Sequence, residues 1–469
     1  METLLAALAL ARNELLLFAG VGLLIGGLDD LAVDLLYAAR RLWRKLTVYT
    51  RIPRMTARDL PPPGAAGPMA IFVPAWDEAA VIGPMLRRCL TLWAREDMQI
   101  FLGVYPNDRA TIDAALAAVT GQDRARLTIV VHPRHGPTTK ADCLNQLWQA
   151  LRRWEEARGR QALAVVLHDA EDVVHADALR LIGALSPRFA LVQLPVLPLA
   201  CAHSKWVSGH YIDEFAEAHA KALMVREALG AAMPSAGVGC GFNRAALGRI
   251  AQARGDRPFD PQSLTEDYEL GLRIGENGGR GILARMRDAQ GGLIATREYF
   301  PDTLPAAVRQ KARWMIGIAL TGWDRLGWHG RWGELWMRLR DRRAALAALV
   351  LAAAYFGLLL TALAWLAGWL TGTALAWPPL LRTLLWLNSA LLLWRLALRM
   401  LFVWHAYGPV EALRSVPRAI VGNIIAMMAA RRAVAAYVRH LRGDALRWDK
   451  TAHRFPDDPA PGDPVTRAA

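Results

Sequence analysis

The chain has 469 residues, of which 54% are hydrophobic and 21% charged. That balance excludes intrinsic disorder and an ordinary soluble enzyme, and the length accommodates two or three parts. Lys and Arg outnumber Asp and Glu by 56 to 42, a net charge of +14, so the position of the positive charge decides between nucleic acid, anionic lipid and phosphorylated substrates. Here it flanks apolar runs. Residues 15–28 are uncharged and apolar but too short alone to span roughly 30 Å of hydrocarbon. Extended to Tyr37 the run is long enough and carries Asp29, Asp30 and Asp34. Arg12 and Glu14 precede it and no A-x-A cleavage site follows, so residues 1–40 read as an uncleaved anchor. The three carboxylates are costly in lipid, and pairing with Arg395 or Arg399 near the membrane surface is the plain expectation. A polar path for a sugar is the sharper one.

Residues 41–67 form a basic, Pro-rich linker ending in Leu60-Pro-Pro-Pro-Gly64. From 68 to 330 the pattern is that of an α/β domain. Strands are expected at 69–73, 100–104, 127–131 and 164–167, with helices at 81–93, 111–119 and 140–154 between them. That alternation predicts a mostly parallel sheet, whose ligands sit at the carboxyl ends of strands. The polar residues fall there: Asp77 and Glu78, Asn107 and Asp108, His132 to Gly136, and His168 to Asp172. No G-x-G-x-x-G or Walker A pattern occurs, which disfavours a dinucleotide enzyme or a P-loop ATPase. Cys89, Cys143, Cys201 and Cys240 lie far apart without a C-x-x-C, which argues against a zinc site or a disulfide framework.

Four segments carry candidate chemistry. His168-Asp-Ala-Glu-Asp172 follows a strand, and residues two apart point the same way, so Asp169 and Glu171 can converge with Asp172 beside them. Such a cluster suits a hard divalent cation, although a helix N-cap would explain it too. Ser263-Leu-Thr-Glu-Asp267 opens a helix: Ser263 and Glu266 have capping-box spacing, which leaves Asp267 as a candidate general base. Gln310-Lys-Ala-Arg-Trp314 puts Gln310, Arg313 and Trp314 on one helix face, suited to phosphate and a sugar ring or to a membrane interface. Lys140 in Gly136-Pro-Thr-Thr-Lys-Ala-Asp142 stands near a helix start, where it could meet an anion or simply be solvated.

Residues 344–372 are the clearest spanning helix and 380–404 a second. Residues 409–443 read as a basic helix lying in the interface, or as a third C-terminal span, followed by a tail over 444–469. Arg40, Arg41, Arg44 and Lys45 follow the first span, and Arg338, Arg340, Arg342 and Arg343 precede the second. This charge bias predicts a cytoplasmic middle segment and C-terminus, and it needs no nucleic-acid partner.

Taken in order, the carboxylate cluster after a strand, then T-E-D, then Q-x-x-R-W, then apolar spans resembles the membrane-bound family 2 glycosyltransferases, such as cellulose, chitin and hyaluronan synthases. The segments V-P-A-W-D-E (73–78), Y-P-N-D (105–108), G-P-T-T-K-A-D-C-L-N (136–145), H-D-A-E-D (168–172), Y-I-D-E-F (211–215) and R-W-D-K-T-A-H-R-F-P (447–456) are closer still to the phage-adsorption type within that family. The resemblance implies a GT-A fold, an inner bacterial membrane, a nucleotide-diphosphate sugar donor and Mg2+ or Mn2+. It places Ala75, Glu78, Asp108 and Lys140 in the nucleotide pocket. Asp169 and Glu171 would stand where the family has D-x-D, with Asp172 able to share the metal. Asp267 would be the base, beside Glu266, and Gln310, Arg313 and Trp314 would hold diphosphate and acceptor. The expected reaction inverts the anomer and extends a secreted polysaccharide. Transfer of one sugar to a lipid carrier is the milder version. A nucleotide-binding export partner of an outer-membrane component, without turnover, is the alternative from another class.

Overall fold

The computed structural model describes residues 2–372, 377–443 and 454–456. Apart from residues 454–456, the tail expected over 444–469 falls outside them, and with it most of the R-W-D-K-T-A-H-R-F-P segment.

Alternating apolar residues build the central sheet. In β1 (Met69–Pro74), Ile71 and Val73 enter a core with Ile82, Leu86, Trp93 and Ile182, while Ala70 and Phe72 enter another with Phe101, Trp148 and Phe242. Both faces are therefore covered, as a parallel sheet requires. β1 pairs in parallel with β2 (Met98–Val104) and with β4 (Ala164–Leu167), and β2 pairs with β3 (Leu127–Val131). β7 (Cys240–Asn243) runs antiparallel between β4 and β5 (Leu191–Gln193), and β8 (Gly281–Leu283) closes the edge beside β5. The order is β3-β2-β1-β4-β7-β5-β8. A two-stranded sheet pairs β6 (Val196–Pro198) with β9 (Thr296–Glu298). Strand order reverses between β1 and β4, the place where an open α/β sheet leaves a crevice.

Among the described residues, four helices are long and apolar enough to cross a membrane: Leu5–Thr47, Ala344–Thr371, Pro379–Tyr407 and Pro409–Leu441. The shortest has 28 residues, or about 42 Å at 1.5 Å per residue. Small residues let them approach closely: a Cβ on Gly22 would collide with Val350, and one on Gly357 with Leu16. The carboxylates of the first helix are paired, but of the expected partners only Arg395 takes part, through Asp30, while Arg399 faces Glu217. Asp29 and Asp30 meet Arg340 and Arg343, Asp30 also meets Arg395 at 3.4 Å, and Asp34 meets Lys221 and Trp394.

Pro409–Leu441 is one continuous helix through Pro417. It docks on the α/β part of the chain. Ala429, Ala430 and Ala433 pack with Ala312 and Ile316, and fully buried Arg418 pairs with Asp213 at 2.6 Å and with Glu411 at 2.5 Å.

Candidate active site

A cavity of about 360 Å³ opens at the carboxyl ends of β1 and β4. Ala75, Glu78, Lys140, Asp169, Glu171, Glu266, Asp267, Gln310, Arg313 and Trp314 all line it. Segments up to 239 residues apart in sequence are thereby brought to one place.

After β1 the chain turns through Trp76–Glu78, with Asp77 at φ 55. Asp108 stabilises that turn by accepting the Asp77 N–H at 2.6 Å, and Thr111 Oγ1 accepts the Glu78 N–H at 2.9 Å. Asp108 also caps the helix Arg109–Ala118 through the Thr111 N–H. It is buried and does not line the cavity, so its contact with the site runs through the turn.

Directly after β4, the expected cluster divides. Asp172 is fully buried, with Oδ2 at 2.5 Å from His168 Nδ1, and it accepts the Asp169 N–H. Burial holds His168 neutral, its pKa pulled down to about 4. Burial also raises the Asp172 pKa, with Asp169 and Glu171 adding to the effect. Asp172 thus braces the turn beneath the strand, and only Asp169 and Glu171 face the cavity. No helix starts here for them to cap, because the next one is Ala178–Leu185 with Asp177 at its N-cap.

Lys140 is the first residue of the helix Lys140–Arg158, capped by Thr139. Its Nζ lies 2.5 Å from Asp169 Oδ1. Burial works against the ammonium, yet Asp169, Glu266 and Asp267 together raise its pKa and keep it charged.

Glu266 and Asp267 open the helix Glu266–Glu276. The Ser263–Glu266 capping box does not form: Thr265 is the N-cap, and Ser263 Oγ accepts the Thr265 N–H instead, which makes a local turn. Glu266 is thereby released to the cavity. Burial and the adjacent Asp267 push its pKa up to about 7, against the pull of Lys140. Burial raises Asp267 as well, with Lys140 opposing. Gly237, at φ +77, sits against Asp267, and a Cβ there would collide with Oδ2. The glycine-rich strip is held by Gln193, which donates to Val238 O at 3.0 Å and accepts the Ala236 N–H at 2.8 Å.

The helix Leu304–Trp314 carries Pro305 in its first turn and presents Gln310, Arg313 and Trp314 to the cavity. Trp314 meets Tyr211 edge to face at 6.2 Å and Phe300 at 6.5 Å. Lys311 pairs with Glu214; burial would raise the Glu214 carboxyl, but Lys311, His210 and Arg399 together hold it below its ordinary value. The helix then widens into a π-helical segment, Met315–Leu320, which packs toward Pro409–Leu441.

Sequence reasoning missed Gln193 and His219, which also line the cavity, and gave Trp76 and Tyr105, inside quoted segments, no role. His219 Nδ1 accepts the Val196 N–H at 3.2 Å, so the neutral ring, its pKa pulled down to about 3 by burial, carries its hydrogen on Nε2. No local motif sets His219 apart from the other polar residues of its helical stretch. Tyr211 and Glu214 belonged to a quoted segment with no role of their own.

A seven-stranded mixed sheet with carboxylates gathered at its reversal point defines a GT-A glycosyltransferase fold. The chain belongs to the family 2 glycosyltransferases, since the family "Glycosyl transferase family group 2" matches residues 164–430. It is 40% identical over 457 residues to Bacteriophage adsorption protein B of Escherichia coli strain K12, covering 92% of this chain and 60% of the relative. Bacteriophage N4 adsorption protein B of Escherichia coli O157:H7 matches with the same figures. The chain therefore spans 60% of the length of these relatives. Among solved structures, a mannosyltransferase of Pyrobaculum calidifontis in complex with GDP-mannose and Mn2+ aligns with a TM-score of 0.51 and 17% identity, over 92% of this chain and 99% of that one. That likeness concerns the fold.

Proposed function

We propose that this chain is an inverting glycosyltransferase of the bacterial inner membrane, of hexosyl or N-acetylhexosaminyl type, whose cytoplasmic cavity transfers a sugar from a nucleotide diphosphate onto a growing exported glycan. One observation carries the reading: Lys140, Asp169, Glu266, Asp267 and Arg313 line a single cavity at the strand-reversal point. A nucleotide-binding partner without turnover has no need of a buried carboxylate pair facing two cations.

The donor diphosphate would meet Lys140 and Arg313, whose positive charge favours the departing anion. Asp267 would take the acceptor hydroxyl proton, with its carboxyl tuned upward by burial. Trp314 and Phe300 would offer a ring face to the acceptor sugar. Asp169 and Glu171 are oxygen donors at the cavity wall, a set that fits Mg2+ or Mn2+. Such a cation, when bound, would neutralise charge on the leaving diphosphate. Arg bias at the helix ends supports the cytoplasmic orientation.

The test is release of nucleotide diphosphate by the purified full chain in lipid. A panel of nucleotide sugars would be assayed with Mg2+ or Mn2+, beside Asp267→Asn. Release from one donor that collapses in the variant supports the proposal and names the sugar. Tight nucleotide binding without release from any donor points instead to an export partner of an outer-membrane component.

A further inference from the structure

Away from the cavity lining, three side chains with metal-ligand chemistry converge on two segments. The loop after β6 carries Cys201 and His203, and the turn after β9 carries Asp302. Their donor atoms all lie within 4.8 Å of one another. Cys201 Sγ is 3.4 Å from the His203 ring nitrogens, and His203 Nε2 is 2.8 Å from Asp302 Oδ2. The two segments are already tied by hydrogen bonds: Ser204 Oγ donates to Asp302 O at 2.6 Å, and Leu199 N donates to Glu298 O at 2.8 Å.

We propose that Cys201, His203 and Asp302 form a Zn2+ site, with solvent in the fourth position. Zn2+ takes this mixed sulfur, nitrogen and oxygen set at about 2.3, 2.0 and 2.1 Å, and a tetrahedron with those bonds separates its ligands by roughly 3.3–3.5 Å. The sulfur lies 3.4 Å from both ring nitrogens, the nitrogen–oxygen pair is at 2.8 Å and all three donors lie within 4.8 Å of one another, so rotation of the exposed His203 ring and of the Cys201 side chain is enough to close the set. Asp302 is 35% exposed and His203 56%, so an ion reaches them without unfolding. The sequence hides the site: Cys-x-His is not a zinc signature on its own, and the third ligand lies 99 residues beyond His203.

The position gives the ion a task. Phe300, two residues before Asp302, lines the cavity, and the helix bearing Gln310, Arg313 and Trp314 begins two residues after it. Clamping the loop to this turn fixes the aromatic wall without touching the reacting groups. Mg2+ and Mn2+ prefer oxygen donors and are disfavoured by the thiolate, so the two sites would separate by metal softness.

The experiment measures metal in the full chain purified in lipid without chelator, by mass spectrometry of the elements. Zinc near one per chain is expected, falling at least tenfold in Cys201→Ser and in His203→Ala but retained in Asp169→Asn. Metal-stripped protein titrated with Co2+ should show tetrahedral visible bands and a thiolate charge-transfer band, the latter lost in Cys201→Ser. Because folding of each variant is checked by its thermal transition, loss of zinc through misfolding is told apart, and the Co2+ spectrum of the wild type stands independently. Zinc far below one per chain with no thiolate band in the Co2+ spectrum overturns the site. So does zinc that persists in Cys201→Ser.

Discussion

Lys140 Nζ sits 2.5 Å from Asp169 Oδ1, at the meeting of a helix N-terminus and the turn after β4. The pair joins the groups expected to meet the donor's phosphates to those expected to hold its cation. Removing the ammonium leaves Asp169, Glu266 and Asp267 facing one another without their common counter-charge. Lys140→Met should therefore lower kcat/KM by about 10²-fold or more, the scale seen when one electrostatic group of a site is lost. Nucleotide binding should weaken too, which equilibrium binding of the free diphosphate would measure. Unchanged turnover in this variant would remove Lys140 from the site.

The carboxylate pair sets the pH dependence. A carboxyl whose pKa is raised is protonated, and useless as a base, until the pH passes that value. Glu266 is pushed up to about 7 and Asp267 is raised by burial. The acid limb of kcat/KM should then lie above the ordinary carboxylate range near pH 4. Lys140 lowers both carboxyls, so Lys140→Met should move the limb to higher pH. Replacing Asp267 relieves Glu266 but removes the base, so Asp267→Asn should abolish transfer at every pH. A pH–rate profile of the wild type and the two variants decides this; a limb near pH 4 in the wild type would count against these carboxyls.

The sheet could be read closely from sequence, because its residues obey a local period. β3 and β4 have the bounds that their apolar runs predict, and the reversal point is where the polar strand ends had to gather. The site was legible only in part. A motif shows that carboxylates are close in sequence, but the turn conformation decides which of them faces the ligand. Asp172 turned under the strand to His168, and Asp108 to the Asp77 N–H, so neither lines the cavity. Ser263 made a tight turn in place of a cap, which no spacing rule could foresee. Gln193 sits in a short buried strand and His219 in a helical stretch with several other polar residues, and neither lies in a motif that would single it out.

Gly237 should tolerate no side chain. Its φ of +77 is left-handed, and a Cβ would strike Asp267 Oδ2. Gly237→Ala is expected to cost roughly 1–2 kcal/mol from the backbone alone. It should also displace the base, so kcat should fall more than the small drop in thermal midpoint explains. A variant with lowered stability and full turnover would show that Asp267 is free to move aside.

Arg418 ties the last long helix to the catalytic part of the chain. It is fully buried and is shared by Asp213 and Glu411, at 2.6 and 2.5 Å. Arg418→Met strands Asp213 in a dry interface, whereas Glu411 keeps Arg414 at 2.5 Å, and breaking such a pair from one side costs about 3–5 kcal/mol. The double variant Arg418→Met with Asp213→Asn removes the stranded charge and should recover part of that loss. The helix also packs its alanine stripe on Ala312 and Ile316, next to Arg313 and Trp314. Undocking it should therefore lower turnover as well as the thermal midpoint, and the double variant should restore both together. Recovery of stability without recovery of turnover would mean that the helix stabilises the fold but does not position the Gln310–Trp314 face.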